Sequence, residues 1–156
     1  METIRIDGKH LTLVQVRNIA RGRARAELDP AARTRMTQGR EALEKILAAG
    51  TKVYGVNTGF GKLKNVAIAR EKMDTLQTNL IRSHCAGVGD PFPEDVVRAV
   101  MVIRANTLAQ GASAIRPQIV DNLLAMLDRN LIPEIPCQGS VSASGDLAPL
   151  SHLALT

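Results

Sequence analysis

The chain has 156 residues, 45 % apolar and 22 % charged, enough for one domain with a real core and ordinary for a soluble globular protein. No apolar run approaches the ~20 residues that span a bilayer, Cys85 and Cys137 have neither CxxC nor metal-ligand spacing, and no signal peptide follows Met1, which points to a cytoplasmic protein with reduced thiols. The net charge of +5 admits nucleic acid as a partner, but Arg17, Arg21, Arg23 and Arg25, followed by Arg33, Arg35 and Arg40, have acids interleaved from Glu27 onward and no rings for base stacking, so they read as a solvated helical surface.

In chain order, residues 3–8 alternate and then turn, which predicts a short strand. Apolar residues at helical spacing over 11–20 predict a helix that ends near Gly22. Asp29-Pro30 reads as an N-cap with proline at the first helical position, opening a helix to about residue 49 that Gly50 closes. Residues 52–54 suggest another short strand, and Gly55, Gly59 and Gly61 then predict a mobile loop. Helix resumes over 70–85, breaks at Gly87, Gly89, Pro91 and Pro93, and returns over 94–110, with Val97, Val100, Met101, Arg104 and Leu108 along one side. A further helix covers 117–128, a connector covers 130–136, and residues 138–146 are small and polar. An apolar helix opens at Leu147 and meets the chain end in mid-helix, so the sequence reads as a fragment of a longer polypeptide. The expected fold class is mainly α with a small β element near the N-terminus, in a single region over 1–156 with no repeats or linkers. A core with only Tyr54, Phe60 and Phe92 as rings is built from aliphatic side chains, many of which favour helices.

Three segments carry chemistry. The first is Gly139-Ser140-Val141-Ser142-Ala143-Ser144-Gly145-Asp146. If the fold bends Ala143-Ser144-Gly145 tightly, the Gly145 amide nitrogen can attack the Ala143 carbonyl carbon. Glycine leaves that nitrogen unobstructed, and the Ser144 hydroxyl can leave as water. Loss of two waters gives a methylidene-imidazolone ring, an electrophile that none of the twenty side chains supplies. The plainer role of Ser144 or Asp146 is to cap the helix beginning at Leu147. The second segment, Tyr54-Gly55-Val56-Asn57-Thr58-Gly59-Phe60-Gly61, is not a phosphate loop: the spacing to Lys62 is one residue too long for GxxxxGK, and Leu63 replaces Ser or Thr. The third runs from Leu76 to Gly89 and contains Ser83-His84, whose imidazole can exchange a hydrogen bond with a polar ring.

Together these blocks resemble the aromatic amino-acid ammonia-lyase family, most clearly over 53–155, and the match through residues 139–155 is long and specific. The resemblance implies a methylidene-imidazolone formed autocatalytically from Ala143, Ser144 and Gly145, with no metal and no dissociable cofactor. It implies that Tyr54 is the catalytic base, and that the Ser83-His84 pair reads the substrate, as in the histidine-specific branch. Asp146 and Gln138 would support the ring geometrically, and Gly61 the loop. The implied reaction eliminates ammonia from L-histidine to give trans-urocanate: the amine adds to the methylene carbon derived from Ser144, and Tyr54 takes a β-proton. Family members are much longer, mostly helical homotetramers with active sites shared between subunits. The 156 residues are therefore expected to be inactive alone, with the tripeptide uncyclised. Departures from the family pattern fall at Cys85, Ala112, Ala114 and Ser142. The alternatives are a phenylalanine or tyrosine ammonia-lyase or aminomutase of the same family, and a non-catalytic helical module that binds nucleic acid with a steep salt dependence.

Overall fold

The computed structural model describes residues 1–141 and 145–156. Among the described residues, six α-helices and two small two-stranded sheets form two compact units, residues 1–43 with 92–133 and residues 44–91 with 134–156. The expected mainly α class with a small N-terminal β element is what the chain adopts.

In the first unit, β1 (Glu2–Ile6), α1 (Leu13–Ala20) and β2 (Ala24–Leu28) form a strand-helix-strand unit with β1 and β2 parallel. Ile4, Ile6, Ala24 and Ala26 point inward and are buried, while Arg5, Arg25 and Glu27 alternate outward. Thr12 and Gln15 start α1 with a reciprocal capping box: Thr12 Oγ1 accepts from the Gln15 N–H, and Gln15 Oε1 accepts from the Thr12 N–H. Asp29 begins α2 (Pro30–Ala48) as expected, its carboxylate accepting from the Ala31 N–H at 2.8 Å and the Ala32 N–H at 3.1 Å. Gly50 follows the helix at φ 75°, and the Thr51 N–H returns to the Ile46 carbonyl.

Helices α4 (Glu94–Ala109) and α5 (Pro117–Asp128) complete the core of this unit, α4 against α1 and β1 and α5 against β2. Val97, Met101 and Leu108 are buried as their spacing implies, but Arg104 is exposed and the buried arginine of α4 is Arg98. Its guanidinium donates to the Ala20 carbonyl at 3.0 Å and to Asn130 Oδ1 at 2.9 Å, at the C-terminal ends of α1 and α5, where helix dipoles favour a cation. The arginine-rich stretch is only partly helical. Arg25 lies on β2 and pairs with Asp128 at 2.6 Å, Arg33 on α2 pairs with Asp121 at 2.6 Å, and Arg35 donates to the Asp7 carbonyl. Ala114 stands at φ 53°, a left-handed conformation that glycine enters without strain.

The second unit holds the end of α2, a long loop over residues 51–69, α3 (Arg70–His84), a β3 (Val88–Pro91) and β4 (Pro136–Gln138) antiparallel pair, and α6 (Leu147–Ala154). α3 packs against α6. Every candidate functional residue among those described belongs to this unit.

Candidate active site

The loop that carries Tyr54 is ordered by side chains. Asn57 Oδ1 accepts from the Val53 N–H at 2.7 Å, and Asn57 Nδ2 donates to the Thr51 carbonyl at 2.9 Å. These bonds, with the Val56 and Asn57 N–H groups both returning to the Val53 carbonyl, wind residues 53–57 into a turn. The short strand expected at residues 52–54 is therefore absent, because an asparagine further on takes the backbone groups that a strand partner would need. Gly55 turns at φ 75°, its carbonyl accepting from Gln77 Nε2 on α3 at 3.3 Å. Thr58, 1 % exposed, bridges to Ala67 and closes the loop on itself. Gly61, at φ 55°, opens a short 3-10 turn over Gly61–Leu63. The Tyr54 ring meets Phe60 edge-on, with centroids 6.0 Å apart, and is 65 % exposed.

At the other end of α3, the Leu80 carbonyl receives two donors: Ser83 Oγ at 2.8 Å and His84 Nδ1 at 2.8 Å. A carbonyl oxygen only accepts, so this contact places an N–H on Nδ1, the tautomer in which Nε2 of an uncharged ring is the acceptor. Ser83 Oγ lies 3.1 Å from the same Nδ1. The chain then leaves α3 through an inverse γ-turn at Cys85 (φ −79°, ψ 63°), closed by the Ala86 N–H on the His84 carbonyl at 2.9 Å.

Gln138 stands opposite Val88 in the β3–β4 pair, its side chain against Gly89. The next residue, Gly139, meets the Gly87 backbone so closely that a Cβ on it would lie 2.9 Å from the Gly87 Cα. Beyond it, the Ser140 hydroxyl donates to Asp146 Oδ1. That bond joins the two ends of the segment containing the tripeptide. Gly145 stands at φ 91°, a backbone conformation that disfavours any residue with a Cβ, and α6 begins two residues later. Asp146 occupies the N-cap position of α6 without capping it, since its carboxylate is engaged by Ser140. The capping role thus gives way to a loop-closing one. Ala143 and Ser144, like Ser142, lie outside the described residues.

Gln138, Ser140, Gly145, Asp146 and the exit from α3 are thus held by one strand pair and the start of α6. Tyr54 is tied in through Phe60 and, by its loop, through Gln77. Among the described residues no hydrogen bond or ring contact joins it to His84 or Asp146. Sequence reasoning did not single out Ser140 or the meeting of Gly87 with Gly139. Ser140 was visible only as one polar residue in a small-residue stretch, and a contact between glycines 52 positions apart leaves no local pattern.

With this arrangement in view, the chain belongs to the aromatic amino acid lyase family, whose model matches residues 11–156. It is 54 % identical over 155 residues to the histidine ammonia-lyase of Anaeromyxobacter sp. (strain K), covering 99 % of this chain and 30 % of that protein. Among solved structures it is similar to a tyrosine aminomutase from Streptomyces globisporus (42 % identity, TM-score 0.91, 97 % of this chain and 28 % of that one). It is also similar to a histidine ammonia-lyase from Trypanosoma cruzi (38 % identity, TM-score 0.86, 99 % and 29 %). The chain thus spans about 30 % of the length of these relatives. No helix among the described residues is long and apolar enough to cross a membrane.

Proposed function

We propose that the full-length polypeptide carrying this sequence is a histidine ammonia-lyase that converts L-histidine to trans-urocanate and ammonia. The observation that carries this reading is the set of His84: its Nδ1 proton is committed to the Leu80 carbonyl, which leaves Nε2 to accept the N–H of a substrate imidazole. Relatives named histidine ammonia-lyase at 46–54 % identity support it. A phenyl or phenol ring offers no ring N–H there, and an acceptor covered by the wrong substrate without a partner penalises its binding.

The residues fit a methylidene-imidazolone made from Ala143, Ser144 and Gly145. Gly145 already stands in a left-handed conformation, and the Ser140–Asp146 hydrogen bond closes the segment from outside the tripeptide. When formed, the ring supplies an electrophile for the substrate amine, turning a poor leaving group into a good one. The uncapped N-terminus of α6, two residues after Gly145, favours the negative charge such a group gathers. Tyr54 removes the β-proton, on a loop whose glycines permit closure and exclusion of water. Ser83 holds His84 through their shared acceptor, and Gln138, Gly61 and Asp146 keep the surrounding backbone in place. On this reading the enzyme is a cytoplasmic homotetramer with shared active sites, and the 156 residues alone are inactive and uncyclised.

The match to a tyrosine aminomutase favours a second reading, an aryl amino-acid lyase or mutase of the same family. Assay of the full-length polypeptide with L-histidine, L-tyrosine and L-phenylalanine decides between them. Urocanate from histidine is expected, and coumarate, cinnamate or a β-amino acid as the main product would overturn the proposal. His84→Leu should lower the preference for histidine over phenylalanine by about tenfold or more.

A further inference from the structure

His152 has no part in the chemistry above. It is half-buried on α6, and its Nε2 accepts a hydrogen bond from the Gly87 N–H at 3.1 Å. An accepting ring nitrogen carries a lone pair, so the ring is neutral with its proton on Nδ1. Three segments converge at this contact: the exit from α3, the exit from β4 and the body of α6. A Cβ on Gly87 would lie 2.9 Å from His152 Nε2, 3.2 Å from the Pro136 Cβ and 3.3 Å from the Gln138 carbonyl oxygen. A Cβ on Gly139 would lie 2.9 Å from the Gly87 Cα and 3.5 Å from the Ala148 Cβ. Anything larger than glycine at either position wedges the segments apart.

We propose that His152 is a positioning residue, setting where the Ser83-His84 end of α3 stands relative to α6. The inference rests on the assignment of His84 to the substrate and of residues 143–145 to the electrophile. The path from His84 to β3 is only three residues long. Its amides are taken in turn by the Ile81 carbonyl for Cys85, the His84 carbonyl for Ala86 and His152 for Gly87. The first two bonds stay within the α3 end, so the third is the one that ties this exit to α6. Without it the γ-turn at Cys85 is free to swing, and His84 swings with it. Imidazole recognition then weakens in the ground state and the transition state alike, which raises KM and leaves kcat nearly unchanged.

The test uses the full-length polypeptide with His152→Leu, which removes the acceptor, and His152→Gln, whose Oε1 can replace it. His152→Leu is expected to raise KM for L-histidine about tenfold, the value of one lost hydrogen bond, while His152→Gln stays within about threefold of the parent. Hydrogen–deuterium exchange at the Gly87 amide should be slow in the parent and in His152→Gln, and fast in His152→Leu. An unchanged KM in His152→Leu, equal losses in the two variants, or fast exchange at Gly87 in the parent overturns the proposal. The last measurement needs neither a folded Leu variant nor turnover. It also separates the two assignments: a polypeptide that ignores L-histidine while protecting Gly87 refutes the substrate and leaves the contact standing.

Discussion

Ser144→Ala in the full-length polypeptide is expected to lower kcat toward L-histidine by at least about a thousandfold, in the upper part of what loss of a single proton-transfer group costs. The reason is chemical. An α-ammonium or amine on a saturated carbon leaves poorly, and no other side chain in the chain can accept the electrons that its departure requires. The serine hydroxyl is the only part of Ala143-Ser144-Gly145 able to depart as water and leave a methylene behind. Alanine at that position keeps the size and removes the leaving group. The bonds from Ser140 to Asp146 and from the Leu150 N–H to the Asp146 carbonyl lie outside residue 144, so the variant should fold as the parent does. A Ser144→Ala polypeptide with parental turnover would mean that the electrophile comes from elsewhere or is not used.

The second large effect is expected at Tyr54. Tyr54→Phe should reduce kcat by about 10²–10⁴-fold, the range for loss of a positioned general base, with KM nearly unchanged because the hydroxyl acts on the β-proton only in the transition state. The edge-on contact with Phe60 depends on the ring and survives the change, as do the Asn57 and Thr58 bonds that shape the loop. Stopped-assay kinetics across substrate concentration separate the two parameters. A KM effect with parental kcat would make Tyr54 a binding residue.

Much of this was legible in the sequence because local rules carried it. Asp29-Pro30, Gly50 and the apolar spacing of residues 117–128 set helix ends that depend on neighbours only a few residues away. The strands were another matter. β2 reads Ala-Arg-Ala-Glu-Leu, an alternation of small and charged residues, and β3 (Val-Gly-Asp-Pro) and β4 (Pro-Cys-Gln) contain glycine, aspartate and proline, which strands disfavour. They pair because the tertiary fold brings them together. The same limit applies to the site. Tyr54, His84 and the tripeptide stood out as motifs, whereas the Nδ1 commitment of His84 to Leu80, the diversion of Asp146 from capping to Ser140, and the Gly87–His152 bond belong to three-dimensional contacts. Arg98 shows the reverse case: helical spacing marked Arg104 for the inner face, and the arginine inside is the one that meets two helix C-termini.

The central claim is covalent, so mass decides it. Intact and peptide-level mass spectrometry of the full-length polypeptide should show a deficit of two waters, about 36 Da, confined to the peptide spanning residues 143–145 and absent from Ser144→Ala. A peptide of unmodified mass in a polypeptide that still deaminates L-histidine would contradict the account.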